Sequence, residues 1–149
     1  MVDVKINLTD PQGKGMQWIA NNNRGHNIII DTPTGNTGPK PTELVAMGLA
    51  ACTAMDVIGI LRKKRQQVTN YEVRVEGDQA DGQQPAAFTA FRVRHIVTGH
   101  SVDAKAVEDA IHLSETKYCS VGATLARAAK VTATYEIIEA DVPAETAVV

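Results

Sequence analysis

The chain has 149 residues, of which 44% are hydrophobic and 21% are charged, and its formal net charge is −2. This composition excludes an intrinsically disordered protein, and the slightly acidic charge gives no electrostatic attraction to nucleic acid, so we expect no nucleic-acid partner. A chain of this length can bury a sizeable core. We expect one domain over 1–149, ending in a loose tail from about residue 140 to residue 149.

Three strands are predicted at the start of the chain, because apolar and polar residues alternate there. They run from Val2 to Leu8, from Met16 to Ala20 and from His26 to Asp31, with turns rich in Asn and Gly between them. The first residues show no basic stretch followed by an apolar one, so we expect no signal peptide and a cytoplasmic location.

A long helix is predicted from Thr42 to about Arg65, with Pro41 in its first turn. Its first four turns are apolar on all sides, which is typical of a helix buried in protein or in lipid. A membrane span is the alternative, since residues 44–61 have the minimal length for one. Asp56 inside this segment and the amphipathic strands around it favour a core helix, so we expect no membrane partner.

Apolar and polar residues alternate again in the second half of the chain. Strands are predicted from Tyr71 to Gly77, from Phe88 to Thr98 and from Val131 to Ile137. Between the last two lie an amphipathic helix, a break near Cys119 and a short Ala-rich helix. This order of elements favours an α+β fold, in which one long buried helix lies against an antiparallel sheet.

Two cysteines, Cys52 and Cys119, are the strongest chemical signal. No Cys or His group has the spacing of zinc ligands, so we expect no metal and no cofactor. Cys119 stands at the start of a helix, where backbone N–H groups stabilise a thiolate, and we expect it to be the more acidic thiol. Cys52 lies in mid-helix, and a small core residue is the alternative interpretation for it. Together the two could reduce peroxide, through a sulfenic acid that condenses with a second thiol.

Two further titratable residues lie in apolar stretches. His95 lies on the apolar side of its strand with Phe91 and Val97, which indicates a core histidine with satisfied hydrogen bonds. Asp56 follows Cys52 by four positions and therefore shares its helix face. We expect its carboxylate to meet a partner across a dimer, and a direct influence on Cys52 is the alternative.

Two segments resemble the cysteine motifs of the OsmC/Ohr family. They are KPTELVAMGLAACTAMDV (residues 40–57) and LSETKYCSVGATL (residues 113–125). Within that family, CTAMDVIGILRKKRQ (residues 52–66) resembles the YhfA-like branch. The resemblance covers nearly the whole chain, and the order of the two motifs is specific.

The resemblance implies an intertwined homodimer, in which antiparallel sheets wrap around long buried central helices and the active sites lie at the dimer interface. It also implies a thiol-dependent peroxidase that reduces organic hydroperoxides and is regenerated by a dithiol reductant such as a lipoylated protein. In that scheme Cys52 is the nucleophile and Cys119 the resolving cysteine. The alternative is a non-catalytic OsmC-like dimer that binds a small apolar or thiol ligand, or that senses oxidants.

An arginine and a glutamate surround the first cysteine in peroxidase members of the family. The resemblance places Arg24 in the segment that carries the arginine, and Glu43 one position away from that of the glutamate. One position on a helix is a rotation of about 100°. Glu43 is therefore either a member of this catalytic group or a helix-capping residue, and Arg24 is either its partner or a solvated turn residue.

Overall fold

A computed structural model of the chain describes residues 1–141. They form a mixed α+β fold with two three-stranded sheets and three α-helices, which confirms the α+β class but does not test the predicted intertwined dimer. The predicted loose tail falls mostly on residues 142–149, which lie outside the described residues. In chain order the elements are β1 (Val4–Leu8), β2 (Trp18–Asn22), β3 (Asn27–Ile30), α1 (Pro41–Lys63), β4 (Gln67–Gln79), β5 (Phe88–His100), α2 (Ala104–Leu113), a π-helical turn (Ser114–Tyr118), α3 (Ser120–Leu125) and β6 (Lys130–Glu139).

The chain divides into two compact units, Met1–Val45 and a second that begins at Ala46. The prediction of one domain over 1–149 stays a prediction. The first unit contains the predicted meander, since β1, β2 and β3 pair in order and antiparallel. Gly25 closes the turn between β2 and β3 with a φ of 83°, a conformation that glycine adopts without strain.

The sheet of the second unit combines two pairings. β4 and β5 are antiparallel, whereas β5 and β6 are parallel. The prediction of a wholly antiparallel sheet is therefore wrong. The three helical segments between β5 and β6 carry the chain back to the end where β5 began, and such a crossover lets β6 run in the same direction as β5.

The core of the second unit forms around one face of α1. Leu49, Thr53, Val57 and Leu61 are buried at intervals of four residues, which places them on one stripe of the helix. Val57 and Leu61 pack in a cluster with the buried face of α2, made of Ala106, Val107, Ala110 and Ile111. The sequence predicts an amphipathic helix here, and the burial of this one face confirms it.

α1 is not buried on all sides in the single chain. Met47 is 52% exposed and Met55 is 73% exposed, on the face away from the Leu49 stripe. The helix is long and apolar enough to cross a membrane by length and composition alone, a test that core helices of water-soluble proteins also pass. Val57 and Leu61 are buried in the core cluster, which favours a core helix over a membrane span.

Candidate functional site

A single π-turn shapes the second cysteine motif. The backbone N–H of Cys119 donates to the carbonyl of Ser114, five residues earlier, at 2.8 Å. Such insertions are rare and occur frequently at functional sites. The turn ends α2 and sets the start of α3, which confirms the predicted break near Cys119.

Cys119 caps the first turn of α3. Its Sγ accepts a hydrogen bond from the backbone N–H of Gly122 at 3.2 Å, and only 4% of the residue is exposed. A Cβ atom at position 122 would lie 3.2 Å from that Sγ, tighter than ordinary van der Waals contact. Glycine at this position therefore allows the close approach of backbone to sulfur.

The two cysteines, far apart in the sequence, meet in the second unit. Cys52 and Asp56 lie one turn apart on α1, and Cys119 approaches them from the start of α3. The sulfur atoms of Cys52 and Cys119 and a carboxylate oxygen of Asp56 all lie within 4.8 Å of one another. Both cysteines are free thiols. The site thus joins two thiols and one carboxylate in a small volume.

Ser114 links this cluster to the π-turn. Its fully buried hydroxyl donates to Asp56 Oδ2 at 3.0 Å and lies 3.1 Å from Thr53 Oγ1. A hydroxyl carries one proton, so when Ser114 donates to Asp56, Thr53 donates to Ser114. Asp56 therefore has a hydrogen-bond partner within its own chain, and the expected contact across a dimer stays a prediction. Sequence reasoning missed Ser114, because only the fold brings it to α1.

The electrostatics of Cys119 contradict the expectation of an acidic thiol there. Burial, with the neighbouring Cys52 sulfur and the Asp56 carboxylate, raises the pKa of Cys119 to about 11. The N–H of Gly122 acts in the opposite direction but is outweighed. The prediction rested on the helix start and the nearby Lys117 and omitted burial, which disfavours a charged sulfur. Cys119 is a protonated thiol at neutral pH.

A cavity of about 270 Å³ lies beside Cys119. Most of its lining is apolar, and it comes from α1, the π-turn, α3 and the inner face of β5 and β6. The lining residues are Leu49, Thr53, Val93, His95, Ser114, Glu115, Cys119, Gly122, Ala123, Ala126, Val131 and Ala133. The two thiols therefore have an apolar cavity next to them. Its volume is larger than that of a cavity that holds benzene and slightly smaller than that of a typical pocket for a drug-sized ligand.

His95 is the buried imidazole of this cavity. Only 1% of it is exposed, and Tyr71 Oη lies within hydrogen-bond distance of its Nδ1, at 2.7 Å. Among residues 1–141, its Nε2 is a buried side-chain atom that has no hydrogen-bond partner. Burial lowers the pKa of His95 to about 4, so the ring is neutral at pH 7. The prediction of a core histidine is confirmed, but its hydrogen bonds are satisfied on one side only.

Arg24 and Glu43 belong to the first unit, and both are exposed. The backbone N–H of Arg24 donates to Asn22 Oδ1 at 2.9 Å in the turn before β3. Glu43 Oε2 accepts a hydrogen bond from the backbone N–H of Lys40 at 2.8 Å, which confirms the helix-capping interpretation. A role for either residue at the thiols stays a prediction.

A family model described as OsmC-like protein matches residues 34–134, the stretch that holds both cysteines, Asp56 and Ser114. The chain belongs to the OsmC-like family. One relative, protein YhfA of Escherichia coli K12, is 36% identical over 127 residues, which cover 85% of this chain and 94% of YhfA. The resemblance inferred from the two cysteine motifs is therefore confirmed.

Solved structures share the OsmC-like fold. A hypothetical protein from Aquifex aeolicus superposes with a TM-score of 0.81 at 24% identity, covering 95% of this chain and 98% of that one. The organic hydroperoxide resistance protein OhrB of Bacillus subtilis superposes with a TM-score of 0.60 at 16% identity, covering 91% of this chain and 98% of OhrB. Structural neighbours of this OsmC-like chain thus include a protein named for peroxide resistance.

Proposed function

We propose that this OsmC-like protein is a thiol-dependent peroxidase that reduces organic hydroperoxides. The observation that carries the proposal is the approach of two free thiols, Cys52 and Cys119, to within 4.8 Å beside an apolar cavity. A peroxidase of this type needs one sulfur to attack the peroxide and a second thiol close enough to condense with it. Cys52 is the proposed nucleophile and Cys119 the proposed resolving cysteine.

The reaction balances with these groups. The Cys52 thiolate attacks the terminal oxygen of the hydroperoxide, the O–O bond breaks, and the alkoxide takes a proton and leaves as an alcohol. Cys52 is then a sulfenic acid, which Cys119 attacks. The Cys119 proton leaves with the sulfenic hydroxyl as water, and a disulfide forms. A dithiol reductant, for which a lipoylated protein is our proposal, returns both cysteines to thiols and becomes a disulfide itself.

The protonation of Cys119 suits this division of roles. A thiol with a pKa of about 11 is a poor nucleophile toward peroxide at neutral pH, but it can donate a hydrogen bond to a neighbouring thiolate. Asp56 places a carboxylate oxygen within 4.8 Å of both sulfur atoms. Arg24, oriented by Glu43, is our proposal for a cation that offsets this negative charge.

We also propose that the protein is a cytoplasmic homodimer. Met47, Ala51 and Met55 form an exposed stripe on α1, and β1 and β3 expose Val4, Ile6 and Ile28. Exposed apolar residues on each of the two units are typical of surfaces that another chain covers, and two copies of the long helix could cover each other. Met55→Glu should then shift the protein from dimer to monomer in sedimentation velocity, whereas Glu115→Gln should not. A wild-type monomer would contradict the proposal.

Intact mass after one equivalent of cumene hydroperoxide tests the peroxidase. The reduced wild-type protein should lose two hydrogens and yield a reducible Cys52–Cys119 peptide link. Cys119→Ser should stop at the sulfenic acid, with a gain of one oxygen that dimedone traps at Cys52. Cys52→Ser should not react with cumene hydroperoxide at the wild-type rate. Two free thiols in the treated wild-type protein would overturn the proposal.

A second candidate function rests on the cavity itself. The cavity has apolar walls and the buried His95 side chain, whose Nε2 has no hydrogen-bond partner among residues 1–141. These are features of a ligand-binding site as well as of a substrate site. In this alternative the OsmC-like dimer binds a small apolar or thiol ligand, or senses oxidants, without turnover. Retained disulfide formation without turnover in the presence of dihydrolipoamide would favour the sensor.

A further inference from the structure

The same cluster has the composition of a soft-metal site. Its donors are two thiol sulfurs and one carboxylate oxygen, each of them a common zinc ligand, and they come from two separate segments of the fold. The sequence alone predicts no such site, because neither cysteine lies in a pair with ligand spacing. We propose that Cys52, Cys119 and Asp56 bind a single zinc ion.

The distances allow this with small movements. In a tetrahedral site, Zn–S bonds of about 2.3 Å and a Zn–O bond of about 2.0 Å place the donor atoms roughly 3.5 to 3.8 Å apart. The three donor atoms already lie within 4.8 Å of one another, so a contraction of about 1.0 to 1.3 Å at most brings them to bonding positions.

Neighbouring groups already hold two of the ligands. The Ser114 hydroxyl donates to Oδ2 of Asp56, which leaves the other carboxylate oxygen free for the metal. The N–H of Gly122 donates to the sulfur of Cys119. Hydrogen bonds of this kind orient metal ligands and fix their protonation, and their loss typically weakens metal binding by about 10- to 100-fold.

The charge of the cluster also fits a divalent cation. Two thiolates and a carboxylate bring three negative charges together, an arrangement that is unfavourable in a buried site without a counter-ion. Zinc removes that cost, and binding it releases the thiol protons to solvent. Three protein ligands leave a fourth position for water, as in open zinc sites, and Cys119 lines the neighbouring cavity.

Zinc and peroxide would compete for the same sulfur atoms. The zinc proposal does not depend on peroxidase activity, but it predicts that bound zinc protects both thiols from oxidation. Oxidation to the disulfide would in turn remove two of the three ligands. The two proposals can therefore fail separately, and each has its own measurement.

Cadmium titration of the reduced full-length protein, followed by ultraviolet absorption, tests the site. Cadmium bound to thiolates gives a charge-transfer band, and we expect it to saturate at one equivalent per chain, with zinc displacing it. Cys52→Ser and Cys119→Ser should each lose most of the band. Asp56→Asn should weaken binding by about tenfold or more, as should Ser114→Ala. The matched control Asp81→Asn, at an exposed loop position, should bind as the wild type does.

Three results would overturn the inference: no saturable band, a stoichiometry of one metal for two chains, or Asp56→Asn binding as tightly as the wild type. If a cysteine variant fails to fold, reversible methylthiolation of the wild-type thiols replaces it, and it should abolish the band until a reductant restores it. Absence of metal binding together with peroxide-induced disulfide formation would reject zinc and leave the peroxidase standing. Metal binding without peroxide-induced disulfide formation would support the zinc site and reject the peroxidase.

Discussion

The Ser114 hydroxyl donates a hydrogen bond to the Asp56 carboxylate at 3.0 Å and so joins the π-turn to the helix that carries Cys52. The two residues are 58 positions apart in sequence, and the bond is part-buried. It holds a carboxylate beside two thiols, and no cation in the part of the chain that the structure describes forms a hydrogen bond with that carboxylate. The chemistry of the cluster therefore depends on this contact as well as on the cysteines.

Ser114→Ala should destabilise the protein, because it leaves Asp56 without its hydroxyl donor in a partly buried site. We expect the free energy of unfolding to fall by about 1–3 kcal/mol, measured by urea denaturation. Ser120→Ala, at an exposed position in the first turn of α3, is the matched control and should change it by less than about 0.5 kcal/mol. Equal stabilities of the two variants would show that the Ser114 hydroxyl contributes little.

The two thiols should react in a fixed order with iodoacetamide at pH 8. Cys119 is buried and its pKa is raised to about 11, so its alkylation should lag behind that of the partly exposed Cys52. Peptide mapping over time measures both rates in one sample. In urea the two rates should converge, since burial and neighbouring charges are lost there. Faster alkylation of Cys119 in the folded protein would contradict this order.

Gly122→Ala should displace the Cys119 sulfur. The new Cβ would lie 3.2 Å from Sγ, so the sulfur must shift by a few tenths of an ångström. We expect peroxide-induced disulfide formation to slow by about tenfold, as such misplacement costs reactivity. Gly59→Ala on α1 is the control, because a Cβ there has open space and alanine favours the helix. Identical oxidation rates in Gly122→Ala and wild type would argue against a precise placement of Cys119.

Stability should rise with pH between about pH 4 and pH 6.5 because of His95. Its pKa is lowered to about 4 in the folded state, against about 6.5 unfolded, so the unfolded chain binds the proton more tightly. The contribution is fully present above pH 6.5 and is lost as pH falls toward 4, with a total of about 3 kcal/mol. His95→Gln should flatten this part of the stability profile in urea denaturation, and the exposed His112→Gln should not.

Local patterns in the sequence were enough to predict most of the elements. Pro41 begins α1 as expected, the alternating stretches are strands, and the break near Cys119 separates α2 from α3. These features depend on the propensities and periodicity of neighbouring residues, which a sequence displays directly. The two cysteine motifs likewise indicated the family before any geometry was known.

Long-range packing decided the rest. β6 runs parallel to β5 because of the path of the crossover, and no residue within β6 encodes that direction. Cys119 has a raised pKa because the fold buries it against Cys52 and Asp56, whereas its local position at a helix start indicated the opposite. Ser114 contacts Asp56 only because the fold brings the π-turn against α1. Burial, strand direction and the pKa of a buried group are properties of the assembled chain, since each depends on atoms that are distant in sequence.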